Sequence, residues 1–386
     1  MFSNLKQINL VKKQDNLLST QPSWIRALDS KFIICSKKLT SFRICYNALK
    51  LLILRSRASK KLLKILLLLL ALATPLLAAQ NYLFYLEAQG VGGWSFSNRK
   101  VSFFSMSAQE AMQKPSLGFD YVQRFSGSSG DFAILAVQLR LTYNQEGENS
   151  FEPQVYNAYL KFKLAAADIW IGHNKPRFGL STVLDNHGTL LQPLAMMGFG
   201  FDRDWGIGFD KDFAGGTAGL SLTTGSGMAL NFKGNFLAAA RIASGILEQD
   251  NHSLGFSAAI GQILEVKGLK LLADSPQNFF MAGIDGSWLV NNWQHSLDIM
   301  AGLRDDRPAV AVFWRTGLGL LAESRLKFDV QPAFLLFRGE ALFQLAAGAS
   351  FLATADWTLR TMVAYDGEMK DTKLMLQIYY YKGVRF

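Results

Sequence analysis

After residue 130 the chain carries charges at alternate positions of otherwise polar faces, and the chemistry open to such faces is that of a charged, water-facing wall. Arg140, Lys161, Lys163, Arg360 and Lys373 supply the positive members, and Asp168, Asp298, Asp329 and Glu340 the negative ones. Rings of such charges set ion selectivity where they line an aqueous path. The plainer role is to solvate and cross-link the wall as ion pairs. Lys161 and Lys163 stand two residues apart, so in a strand they share a face. Both signs occur, and no preference for anions or cations follows. A second group, Asp185, His187, Asp202 and Arg203, lies in or just after a long connection at 174–203. If that connection narrows a path, these residues would place charge at the narrowest point. Asp185 and Asn186 are also ordinary turn formers, and Arg203 between Asp202 and Asp204 suits a local ion network.

Bond-breaking chemistry has less to draw on. The chain has four histidines, His173, His187, His252 and His295. The run Asn251-His252-Ser253 resembles the histidine-containing motifs of outer-membrane phospholipases, but adjacent residues of a strand face opposite sides, and a serine nucleophile needs its base within hydrogen-bond reach. The chain shows no Gly-x-Ser-x-Gly elbow, phosphate-binding glycine loop, His-Glu-x-x-His helix or dinucleotide fingerprint. The two cysteines, Cys35 and Cys45, lie far from the charged faces. No catalytic residue, metal site or cofactor is assigned on these grounds.

The elements that must position these charges follow from composition and period. Of 386 residues, 40 are Lys or Arg and 30 Asp or Glu, but positions 1–79 hold 14 of the bases and only two acids, Asp15 and Asp29. Residues 80–386 carry 26 bases and 28 acids, so the basic excess gives no support to nucleic-acid binding. Arg55 to Lys64 is basic, Ile65 to Leu77 apolar, and Ala78-Ala79 small. That order is the expected one for a secretory signal peptide over 55–79, and its 13 apolar residues fall short of the roughly 20 that span a bilayer as a helix. Residues 1–54 show no sustained period and are expected to be an extension outside the fold.

From residue 80 onward the apolar period is two. In 373–386 the even positions are Leu374, Leu376, Ile378, Tyr380, Lys382, Val384 and Phe386, opposite Lys373, Met375, Gln377, Tyr379, Tyr381, Gly383 and Arg385. Lys382 can lay its stem on apolar surface and reach an interface with its ammonium. The pattern recurs in about sixteen stretches, at 82–90, 117–125, 131–142, 154–164, 167–173, 204–212, 216–223, 235–243, 253–262, 278–290, 293–303, 308–318, 325–337, 340–351, 356–366 and 373–386. Pro332 cannot donate to a ladder, which predicts a bulge or a local break. Ser107 to Gln113 suits a short helix within a loop. Tight connections (126–130, 165–166, 291–292) alternate with long ones (91–116, 143–153, 174–203, 263–277). An even strand count, turns short on one side and long on the other, and Trp or Tyr near strand ends (Tyr82, Trp205, Trp293, Trp357, Tyr365, Tyr380) predict an all-β fold: a closed antiparallel transmembrane barrel over 80–386.

The ending YYYKGVRF, a strand finishing on Phe386 behind a signal segment, resembles the assembly signature of Gram-negative outer-membrane β-barrel proteins. The stretch 157–180, NAYLKFKLAAADIWIGHNKPRFGL, resembles the porin segment in which an amphipathic strand leads to a Gly-x-x-x-Pro-x-Phe-Gly loop entry, here Gly172, Pro176, Phe178 and Gly179. The resemblance implies residence in the outer membrane, contact with its lipid, recognition of the Phe386 strand by the barrel assembly machinery, and a possible homotrimer. It also implies that the 174–203 loop folds inward and narrows a channel for small hydrophilic solutes or ions. A barrel hydrolase of phospholipase or protease type, and a barrel that does not conduct, remain the alternatives.

Overall fold

The computed structural model describes residues 81–384 apart from 106–112, 129, 147–149, 185–188 and 268–269. The segment expected to be a signal peptide, Asp185, His187 and Phe386 lie outside the described residues, as does nearly all of the short helix expected at 107–113. The described chain forms β1 (Tyr82–Ser95), β2 (Lys100–Ser102), β3 (Ser116–Gly127), β4 (Gly130–Tyr143), β5 (Phe151–Lys163), β6 (Asp168–Asn174), β7 (Asp204–Phe213), β8 (Gly216–Thr223) and β9 (Phe236–Ser244). It continues with β10 (His252–Lys267), β11 (Lys270–Val290), β12 (Trp293–Arg304), β13 (Arg307–Leu320), β14 (Leu326–Phe337), β15 (Glu340–Leu352), β16 (Trp357–Asp366) and β17 (Asp371–Gly383).

Sixteen of these build one antiparallel wall. β1 pairs with β3, each later strand pairs with the next, and β17 returns to β1 from Tyr85↔Gly383 to Ser95↔Lys373. Closure matters because an open edge in hydrocarbon would leave backbone groups without partners. The remaining strand, β2, is a short arm folded back on the end of β1 through Gly93↔Ser102.

The period of two becomes two surfaces. In β17 the odd side chains point inward, with Met375 0% and Gln377 2% exposed, while outward Leu376 and Ile378 are 59% and 52% exposed. In β10, Leu254, Phe256 and Ile260 face out while Ser253, Ser257 and Ala259 are buried. An apolar belt continued around a closed wall is far larger than water-soluble surfaces tolerate, and it matches a hydrocarbon layer. Trp293, Trp314, Trp357 and Tyr380 gather on this outer face towards the end with the tighter turns, Trp357 and Tyr380 with ring centroids 4.7 Å apart. Amphipathic rings favour that depth because one edge is apolar and the other meets water.

All sixteen expected stretches are strands, but the connections differ from expectation in two respects. Within the long loop expected at 263–277, residues 263–267 and 270–277 are instead strand: β10 and β11 run on past their neighbours as a two-stranded ribbon, with Val266 opposite Leu271. β9 accompanies β10 only to Gln262 and β12 accompanies β11 only from Phe279, so the ribbon stands beyond the rim, bulged near Glu265. The second half of the barrel also has tight turns at both ends; Asp305-Asp306 and Arg338-Gly339 each put two residues at positive φ, the two-residue turn whose twist suits a hairpin. Of the two outcomes expected at Pro332, a bulge or a local break, the strand shows the break. Its ladder to β13 lacks the rungs between Phe313↔Ala333 and Thr316↔Val330, yet the register is unchanged on either side.

Candidate solute path inside the barrel

Inward faces of neighbouring strands lie only ~4.8 Å apart, so a long side chain can reach past one strand to the next but one. Two ion pairs are built this way. Glu87 of β1, Gly118 of β3 and Arg140 of β4 lie in one row, and Arg140 meets Glu87 over the glycine. Arg241 of β9 and Asp285 of β11 join over Gly255 of β10. Both pairs are almost wholly buried, with no more than 4% of any of the four side chains exposed.

The connection 175–203 turns into the barrel and is bonded to successive strands. The Arg177 N–H donates to Ser221 Oγ of β8 at 3.0 Å, and its guanidinium forks onto Asp210 of β7 while lying 5.9 Å from the Trp170 ring. Gly179 N–H donates to Ser257 Oγ of β10 at 3.1 Å, and Leu180 N–H donates to Asp298 Oδ2 of β12 at 3.1 Å. Phe178, Leu180, Leu194 and Phe199 then pack on inward Phe279, Met281, Met300, Phe313 and Leu335. Farther round, Leu190 and Leu191 rest on Val91, Met362 and Met375, and Gln331 Nε2 donates to the Gln192 carbonyl at 2.7 Å. Met196 meets Tyr156 together with Met228 from the 224–235 connection. Apolar burial holds the middle of the loop and hydrogen bonds hold its root.

The chain returns to the wall through Asp202, Arg203 and Asp204. Arg203 lies 4.3 Å over the Tyr156 ring, donates to Asn157 Oδ1 at 2.9 Å and pairs with Asp202 at 3.1 Å. Asp204 turns to the next connection, accepting from Thr224 Oγ1 at 2.8 Å and from the Gly225 N–H at 2.7 Å. Ser105 and Lys114 also meet the inner wall: Gln89 Nε2 donates to the Lys114 carbonyl at 2.6 Å and Lys373 Nζ to the Ser105 carbonyl at 3.3 Å.

Towards the tight-turn end the interior opens into a cavity of about 390 Å³ between the loop root and strands β5 to β9. Lys161 stands there between two carboxylates, 3.1 Å from Asp168 and 3.7 Å from Asp210. These side chains remain 19% to 31% exposed, unlike the sealed pairs deeper in the barrel.

The expected lumen residues are thus distributed unevenly. Lys161 and Asp168 come together, whereas Lys163 and Glu340 sit exposed at strand ends. Arg140 pairs with Glu87 and Asp329 with Lys327, Arg360 donates to Gln377 Oε1, and Asp298 holds the loop. Asp202 and Arg203 bond each other and the wall where the loop ends. Glu87, Arg177, Asp210, Arg241 and Asp285 were not singled out from sequence. Arg177 lay inside the Gly172 to Gly179 loop entry, and the others stood on polar faces, but their partnerships depend on which strands become second neighbours. The three histidines among the described residues are placed apart: His252 Nδ1 lies 3.1 Å from the Asp250 carbonyl, His295 Nδ1 3.0 Å from the Thr316 hydroxyl, and the His173 ring is 4.8 Å from that of Trp205, tilted by 34°.

No family model matches the chain, and no curated protein matches it. Solved structures do. Salmonella typhi OmpF in complex with daunomycin superposes with a TM-score of 0.57 at 11% identity, over 78% of this chain and 97% of that one. The outer membrane channel DcaP of Acinetobacter baumannii gives 0.52 at 12% identity, over 78% and 97%. The fold is that of the outer-membrane porins. An anion-selective porin from Comamonas acidovorans gives 0.52 at 11% identity, over 78% and 98%. At these identities the porin likeness concerns architecture alone, and the interior charges of this chain must be read from its own side chains.

Proposed function

We propose that this chain is a channel of the Gram-negative outer membrane that admits small hydrophilic solutes or ions by passive diffusion, without chemistry. The observation that supports it most is the 175–203 connection, turned into a closed barrel and bonded to Ser221, Ser257 and Asp298 above an open, charged cavity. A loop so fixed narrows a path without needing to move, and selection then rests on size and on the charges beside it. The signal segment and the closed apolar belt suit export to the outer membrane. The test is single-channel current across a planar bilayer under a salt gradient. Discrete conductance steps are expected, and the reversal potential reads which sign of charge controls passage.

A second reading has an observation of its own. Inward Thr142, Ser257, Met281, Phe313 and Met375 are 0% exposed, so much of the interior is packed. A barrel held shut by its own connections would insert and remain silent, and that result would overturn the channel.

A further inference from the structure

We propose that the cavity at the tight-turn end is a binding site for small zwitterions, solutes of amino-acid or short-peptide size that carry one carboxylate and one ammonium. The assignment names a solute class for the channel proposed above, and its meaning for transport rests on that reading.

Three features of the cavity lead there. First, it brings charges of both signs close together. Asp168 and Asp210 face each other in register on β6 and β7, Lys161 of β5 reaches both, and Arg177 approaches Asp210 from the loop. The lining as a whole carries Lys161, Arg177, Lys211 and Arg241 against Asp168, Asp210 and Asp212, and Arg241 is matched by Asp285, so the charges balance and a singly charged solute gains at one sign and loses at the other. A solute with both charges gains at each end, which is how mixed-sign sites discriminate.

Second, the groups are accessible. The Lys161 and Asp168 side chains are 25% and 31% exposed, against 4% and 0% for Arg241 and Asp285 nearby. An ion pair that water already reaches contributes less to folding than a sealed one, so exchanging Asp168 for a solute carboxylate on Lys161, and Lys161 for a solute ammonium on Asp168, costs little.

Third, the site is preformed. The loop supplies Arg177, Thr182 and Val183 to the lining, and it is held there by the bonds of Arg177, Gly179 and Leu180 to Ser221, Ser257 and Asp298; the volume of about 390 Å³ falls in the usual range for small-molecule sites, roughly 300–1,000 Å³.

The experiment titrates the full chain, purified from membranes in detergent, with glycylglycine, N-acetylglycine and glycylglycinamide by calorimetry. These are a zwitterion, a monoanion and a monocation of similar size. Glycylglycine is expected to bind at least about tenfold more tightly than either analogue, and Lys161→Gln or Asp168→Asn to remove most of that advantage, since each deletes a charge-assisted contact. Equal binding of all three, or no binding of glycylglycine, overturns the proposal. The comparison of ligands on the unaltered chain does not depend on either variant folding. In planar bilayers, glycylglycine added from the tight-turn side should interrupt the current briefly. A silent barrel that still discriminates in calorimetry would sink the channel and keep the site; a conducting barrel that does not discriminate would do the reverse.

Discussion

Arg241 and Asp285 belong to strands that do not touch, yet they form a two-pronged ion pair, Nε to Oδ2 at 2.9 Å and Nη2 to Oδ1 at 2.5 Å, across the backbone of β10. The space they cross is open because position 255 is glycine: a Cβ there would come within 2.5 Å of the guanidinium and 2.7 Å of the carboxylate. Such a tie fastens three strands at once, and a glycine in a strand, which ordinarily weakens it, becomes the condition for the tie.

Gly255→Val should therefore push these buried charges apart. Breaking a buried pair costs about 3–5 kcal/mol because the survivor has no counter-charge. Arg241→Met alone should lose a similar amount. Arg241→Met with Asp285→Leu should recover most of it, because no lone charge remains. Denaturant unfolding of the barrel in lipid vesicles, followed by tryptophan fluorescence, measures the three. Equal losses in the single and double variants would show that the pair is not what the wall depends on.

The outer face gives a depth-dependent expectation. Leu376 stands outward at the middle of β17, whereas Tyr380 stands outward near the tight-turn rim beside Trp357. Leu376→Arg should cost about 2–4 kcal/mol, and Tyr380→Arg about 0–1 kcal/mol in transfer terms beyond the loss of its ring contact, because a guanidinium near the rim can reach water. The same vesicle unfolding measures both. Equal costs would mean that the belt is not centred on the strands.

The strands were legible because a wall with lipid outside and polar atoms inside forces a period of two on every one of them, and β17 shows it from Lys373 to Tyr381. The ribbon at 263–277 was not, since Leu271-Leu272-Ala273 has no second face to pattern once it leaves the wall. The direction of the 175–203 loop was legible as a resemblance at Pro176 to Gly179, but its anchors were not: Leu180 and Asp298 are 118 residues apart, and only closure of the barrel brings β12 beneath the loop. Arg140 was legible as an inward charge, while its partner Glu87 required knowing that β3 lies between them.

Asp204 links two connections. Besides Thr224 and Gly225 it accepts from the N–H of Trp205 at 2.9 Å and of Ser226 at 3.3 Å, so one carboxylate fixes the start of the 224–235 segment to the end of 175–203. Asp204→Ala leaves those donors buried and should cost about 3 kcal/mol, with Met228 released from Tyr156. Hydrogen exchange should then rise across 224–228 and leave β15 to β17 unchanged. Uniform protection across both regions would show that Asp204 does not hold the segment.

The loop root depends on a single acceptor at β12. Leu180 N–H reaches Asp298 Oδ2, and Asp298 itself is only 1% exposed, so water does not readily replace it. Asp298→Asn keeps an oxygen that can accept the same N–H and should leave the loop in place. Asp298→Val removes the acceptor; leaving a buried N–H unpaired costs about 1–3 kcal/mol, enough to raise the population of a detached root by roughly fivefold or more. In bilayers the Val variant should show broader current levels than the Asn variant, and in detergent faster proteolysis within 175–203. Cleavage that is equally slow in both would mean that the apolar packing of Leu180, Leu194 and Phe199 holds the loop without help from Asp298.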